Sequence, residues 1–159
     1  MSYDCLIHDK LLHTDFIQGP VVSLKLQGFY PRETETDLPH YCFFIMLGSQ
    51  KIGSITLRLG YNDYTDIHGH IGYTIDEGFR GHGYSYYALQ LIIELAKEHG
   101  YEHLLVTCDP HNLSSIKSVL KVGGRLVEEH RSVPKDHIYY VLGLTVLNCY
   151  VISLKERFR

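Results

Sequence analysis

The chain has 159 residues, 45% of them hydrophobic and 21% charged, with a formal net charge of -3 at pH 7, values that suit one soluble globular domain with a sizeable core. A mild negative charge without any run of Lys or Arg argues against nucleic acid and anionic membranes as partners. The four cysteines (Cys5, Cys42, Cys108, Cys149) form no C-x-x-C pair, the first twelve residues have no apolar leader core, and no window approaches 18 uninterrupted apolar residues, so a reducing, cytoplasmic setting without disulfides is expected.

Residues 1 to 20 show no clean period, and a helix is the favoured reading there. Residues 21 to 26 (Val-Val-Ser-Leu-Lys-Leu) read as a short strand, and Pro31 to Pro39, rich in Glu, Thr and Asp, as a surface loop. Tyr41 to Leu47, the turn Gly48-Ser49-Gln50 and Lys51 to Leu59, where Ile52, Ser54, Thr56 and Arg58 interleave with apolar positions, predict a hairpin. A strand over residues 70 to 75 follows a polar loop. Residues 83 to 99 place Ala88, Leu91, Ile92, Leu95 and Ala96 on one helical face, and Gly100 stops the helix.

Leu104 to Cys108 is a continuous apolar run, as in a strand buried on both faces; such strands are typically parallel, which makes the preceding helix a crossover. A second helix is predicted over residues 113 to 121, with Asn112 as N-cap and Gly123-Gly124 as exit. Strands at 125 to 132 and 137 to 152 finish the chain. The long last one, with Tyr139, Tyr140, Val141 and Leu142, either completes the sheet or pairs in a homodimer, with a weak preference for the dimer.

The most informative segment is Arg80-Gly81-His82-Gly83-Tyr84-Ser85, between a strand and the best helix. A glycine-rich turn feeding a helix N-terminus aims backbone N–H groups at one spot, where the helix dipole adds about half a positive charge. That spot suits a pyrophosphate, and Arg80 can add a charge-assisted hydrogen bond. A dinucleotide G-x-G-x-x-G fails because Tyr86 stands in the third glycine position, and no G-x-x-x-x-G-K-[ST] string exists.

Arg80 to Ser85 resembles the acetyl-CoA signature [QR]-x-x-G-x-[GA] of the GNAT superfamily of N-acetyltransferases, with Ser85 as the final small residue. Gly69 to Ile75 resembles the family's fourth strand, Cys108 to Ser115 its fifth strand running into N-x-x-[SA], and Lys121 and Gly123 its K-x-G. The resemblance is strong over residues 51 to 126. It implies an α/β (α+β) fold: a mixed, mostly antiparallel sheet of six to seven strands with a central β-α-β unit and flanking helices. It also implies acetyl-CoA as co-substrate and direct transfer to a primary amine of a small molecule, peptide or protein. Pantetheine would lie along Tyr73, Thr74 and Ile75, the pyrophosphate on Gly81, His82, Gly83, Tyr84 and Ser85, with Asn112 and Ser115 near the pantetheine and Lys117 near a CoA phosphate.

Transfer needs a neutral amine, although a lysine-like amine has a pKa of about 10.4 in water, so a base is sought. His70 is the first candidate and His68 the second, because both lie in Asp66-Ile67-His68-Gly69-His70 and imidazole titrates near neutrality. Backbone N–H groups around Gly72 to Thr74 would stabilise the thioester oxyanion. Despite eleven histidines no third ligand accompanies the H-x-H pair, so no metal is expected. Val119 replaces the tyrosine that many family members carry four residues after the [SA]; Tyr73, Tyr84, Tyr86, Tyr87, Tyr139 and Tyr140 are candidate substitute acids, and Cys108 reads as an inert core thiol. That vacancy leaves a second reading open, a catalytically silent acyl-CoA-binding or sensor domain.

Overall fold

The structure, a computed structural model, describes residues 2 to 154. Alternating apolar positions build an antiparallel meander. In β3 (His40–Leu47) Tyr41, Phe43 and Ile45 point into the core, and in β4 (Gln50–Arg58) Ile55 and Leu57 do, while Thr56 and Arg58 project from the other face. With β1 (Phe16–Ile17), β2 (Ser23–Tyr30) and β5 (Ile71–Ile75) they form a five-stranded sheet in chain order. Helix α1 (Thr65–His68) interrupts the loop before β5.

Helix α2 (Tyr84–Glu98) buries Leu89, Ile92, Ile93 and Leu95, each contributing about 1.5–3 kcal/mol of burial. It then leads to β6 (His103–Cys108). Helix α3 (Leu113–Lys121) begins at Asn112, whose Oδ1 accepts the Ser115 N–H at 3.2 Å. β7 (Arg125–Ser132), α4 (Ile138–Val141) and β8 (Val146–Ser153) complete a three-stranded sheet of order β6-β8-β7. One core cluster draws residues from both sheets. No helix among the described residues is long and apolar enough to cross a membrane.

The mixed α+β architecture is as expected, with three local differences. Residues 2 to 15 form no helix; side-chain and backbone bonds tie them down instead, Leu11 N–H donating to the Tyr41 hydroxyl and Leu6 and Ile7 N–H to the His99 carbonyl. The last strand starts at Val146 rather than residue 137, so Tyr139, Tyr140 and Val141 belong to α4 and Leu142 follows it, with Val141 and Leu142 exposed. β6 is buried as expected but pairs antiparallel with β8, not parallel with β5.

The approach to β5 meets the middle of β6. His70 N–H donates to the Leu105 carbonyl at 2.7 Å, and beyond that bond no ladder joins the two strands among the described residues. Gly69 makes this approach possible: its φ is +69°, and a Cβ there would stand 2.9 Å from the Leu105 oxygen. Past the contact the two strands belong to different sheets, and residues at the starts of α2 and α3 line the space beside β5.

Candidate active site

Three cavities with common lining residues lie in and beside this gap. The first, a slot of about 430 Å³, lies between the outer edge of β5 and the start of α3, with Thr74, Ile75, Arg80, Ser85, Asn112 and Ser115 among its walls. At its head is the glycine turn. Gly81 and Gly83 have φ of +87° and +75°, nothing stands within 4 Å of a Cβ at either, and the N–H groups of residues 81 to 85 have no acceptor among the described residues. Free N–H groups at the start of a 15-residue helix make an anion cradle. Arg80 borders it, its Nε donating to the Ile75 carbonyl at 2.8 Å. Ser85 is buried, and its hydroxyl bonds Ser118 at 2.6 Å, fastening α2 to α3.

The slot adjoins a junction of about 170 Å³, the two sharing Tyr73, Asp109, Asn112 and Ser115. The Tyr73 hydroxyl donates to the Ser115 carbonyl at 3.1 Å and lies 2.7 Å from Ser115 Oγ, which is 3.5 Å from Cys108 Sγ. Burial pushes both the Tyr73 hydroxyl and the Cys108 thiol above their ordinary pKa values.

The junction in turn shares Arg58 and His68 with an outer cavity of about 650 Å³, between the loop before β3, the α1 region and the β7–β8 connector. His68 Nε2 lies 2.9 Å from His137 Nε2, and His137 Nδ1 accepts the Tyr139 N–H at 3.0 Å. That backbone donor fixes the tautomers: His137 carries its hydrogen on Nε2 and gives it to His68 Nε2. Burial, with Arg58 and His137 beside it, lowers the His68 pKa to about 4, so its imidazole is neutral at pH 7.

His70 is not at this site. It is fully buried, Nδ1 accepting the Leu105 N–H at 2.9 Å and Nε2 donating to the Gly60 carbonyl at 2.9 Å. With both ring nitrogens committed to backbone and its pKa lowered to about 4 by burial, it fastens β6 to the β4–α1 loop and offers no lone pair to a substrate. The other expected residues divide. Tyr73, Thr74, Ile75, Arg80, Ser85, Asn112 and Ser115 line the slot, while Gly81, His82, Gly83, Tyr84 and Lys117 line none of the cavities. Of these, Gly81 and Gly83 shape the cradle, His82 packs its ring 5.5 Å from that of Tyr84, and Lys117 is exposed. Val119 is wholly buried, so no side chain reaches the site from the position four residues after Ser115. Sequence reasoning missed His137, and read Arg58 only as an alternating strand residue.

Residues 23–125 match the family model described as Acetyltransferase (GNAT) domain. No protein of curated function matches the chain in sequence. Among solved structures, the microcin C7 self-immunity acetyltransferase MccE, in complex with acetyl-CoA and AMP, is similar over 72% of this chain and 61% of that one, at 19% identity and a TM-score of 0.57. RimJ of Mycobacterium smegmatis, in complex with CoA-disulfide, is similar over 76% and 56%, at 20% identity and 0.57. A GNAT-family acetyltransferase from Bacillus anthracis is similar over 70% and 65%, at 22% identity and 0.56. The chain thus spans 56% to 65% of the length of these relatives, and at such identities they show the shared fold.

Proposed function

Because the chain belongs to the GNAT acetyltransferase family, we propose that the slot binds acetyl-CoA and that the acetyl group passes directly to a primary amine entering from the outer cavity. The observation that carries this reading is the succession of three cavities with common lining residues, Tyr73, Asn112 and Ser115 between slot and junction and Arg58 and His68 between junction and outer cavity. Pantetheine lies along the unpaired edge of β5 as an added strand, and the pyrophosphate sits on the N–H groups of residues 81 to 85. Complexes of two relatives with acetyl-CoA and CoA-disulfide support this choice of ligand.

In the junction the amine nitrogen attacks the thioester carbon. The carbonyl oxygen gains charge and is met by N–H groups of residues 72 to 74. His68 takes the amine proton on Nε2. The amine N–H replaces the His137 N–H as donor to that nitrogen, so burial keeps the base neutral and His137 keeps its lone pair oriented until an acceptor arrives. As the C–S bond breaks, the thiolate takes a proton from the Tyr73–Ser115 hydroxyl pair, which exchanges with water.

The burial of Val119 favours one second reading, a catalytically silent acyl-CoA-binding domain. Thermal unfolding with acetyl-CoA, CoA, NAD or buffer tests ligand choice, since a ligand of the native state raises the midpoint. A rise with the CoA species alone is expected, and a rise with NAD alone would overturn both readings.

A further inference from the structure

Arg58 is the only lysine or arginine among the described residues lining the junction or the outer cavity. Its Nη1 donates to the carbonyl oxygens of His68 and Gly69, each at 3.3 Å. It forms no ion pair with any described residue. Nε and Nη2 bond nothing described, yet among the described residues no fully enclosed side-chain nitrogen is without a partner. Neither nitrogen is therefore wholly enclosed, and the junction and outer cavity are the cavities that Arg58 lines.

A half-buried guanidinium without a counter-ion is costly, and protein cations in such places are normally paired. The residue stays charged, although burial lowers its pKa, an effect that Tyr139 and Cys42 partly offset. Gly72 keeps the fork uncovered: even a Cβ there would come within 3.6 and 3.7 Å of Nη2 and Nη1, and a longer side chain would lie across them. The vacant edge of the fork presents parallel N–H groups, the geometry that takes a carboxylate through two hydrogen bonds.

From these observations we propose that the acceptor is a free α-amino acid, its carboxylate held by Arg58 while its amine lies on His68. In such a molecule amine and carboxylate are joined through one carbon, matching the adjacency of Arg58 and His68 on the wall shared by junction and outer cavity. A peptide N-terminus offers the same amine but an uncharged amide beside it, which leaves the guanidinium unpaired. The amino-acid side chain extends into the outer cavity, where Asp37, Asp63 and Asp136 disfavour acidic side chains. This assignment rests on the acetyl-transfer reading above and names the acceptor class for it.

The experiment compares L-leucine, L-phenylalanine and L-arginine, each beside its C-terminal amide and its decarboxylated amine. It measures binding to the CoA-saturated protein and acetylation with acetyl-CoA. Free acids should bind and react roughly 10- to 100-fold better than their amides, the range for a charged hydrogen-bonding group left unpaired. Arg58→Gln should erase that ratio without loss of fold or of CoA binding, and Arg58→Lys, which keeps charge but not the fork, should restore part of it. Amides or peptide N-termini acetylated as well as acids, or a ratio that survives in Arg58→Gln, would overturn the carboxylate assignment while leaving acetyl transfer intact. Arg58-dependent binding of acids without turnover would keep the carboxylate site and sink the transfer reading, and absence of binding by any free acid would sink the carboxylate site.

Discussion

The Nε2 atoms of His68 and His137 stand 2.9 Å apart although the residues are 69 positions apart in sequence. His68 borders both the junction and the outer cavity, whereas His137 borders only the latter. Removing the base should cost about 10²- to 10⁴-fold in kcat. His68→Ala is therefore expected to lose that much while binding CoA normally, and His137→Ala to lose far less because it only occupies the lone pair the amine will use. Steady-state kinetics on both variants decide this, and equal losses would contradict the division of roles.

The anion cradle predicts a separate loss of affinity. Gly83 caps α2 with φ of +75° and open space around the site of a Cβ. Gly83→Glu puts a carboxylate where the pyrophosphate should sit, and its strained backbone also distorts the turn. Titration calorimetry is expected to show CoA binding weakened at least about 100-fold, a figure on the scale of one or two lost charge-assisted bonds. Unchanged affinity would place the phosphates elsewhere.

Cys108 offers a way to locate the arriving sulfur. The residue lines the junction, and its Sγ lies 3.5 Å from Ser115 Oγ. Oxidised CoA disulfide should exchange there, the Cys108 thiolate displacing one CoA thiol and keeping the other CoA as a mixed disulfide. Burial raises the Cys108 pKa, so labelling should be slow at pH 7 and quicken as pH rises. Cys149, on β8 and lining none of the three cavities, should stay unlabelled as seen by intact-mass and peptide analysis.

His70 should appear in stability rather than in rate. Its folded pKa of about 4 lies below the ordinary 6.5, so the unfolded chain binds the proton first. The stability it contributes is present above pH 6.5 and is lost as pH falls towards 4, by about 3 kcal/mol at 1.36 kcal/mol per unit. His70→Gln cannot serve both the Leu105 N–H and the Gly60 carbonyl, and should be about 1–3 kcal/mol less stable at pH 7. Denaturant unfolding across this range should show a shallower acid loss in the variant; parallel curves would refute the assignment.

What could be read from the chain follows from how local its physics is. Helix α2 and the cradle were legible because the apolar period, Gly81, Gly83 and Gly100 all act within a few turns of backbone. Tyr139 to Leu142 looked like strand because Tyr and Val favour strands. Their actual state is set by His137, whose Nδ1 caps the Tyr139 N–H, and by Gly143 at φ of +97°. His70 and His68 differ by two residues and looked interchangeable. The approach of β6, unknowable from spacing, buries one and leaves the other on a cavity wall. Arg58 and His137 join the site only through chain topology, and no motif marks either.

Amine-dependent release of CoA thiol from acetyl-CoA, with the acetylated product identified by mass, tests the central claim most directly. The acetyl-transfer reading predicts that thiol appears in step with acetylated amine and that His68→Ala slows this about 10²- to 10⁴-fold while retaining CoA affinity. Tight acetyl-CoA binding with no amine-dependent release, across free amino acids, simple amines and peptides, would contradict the transferase and leave the silent binding domain in its place.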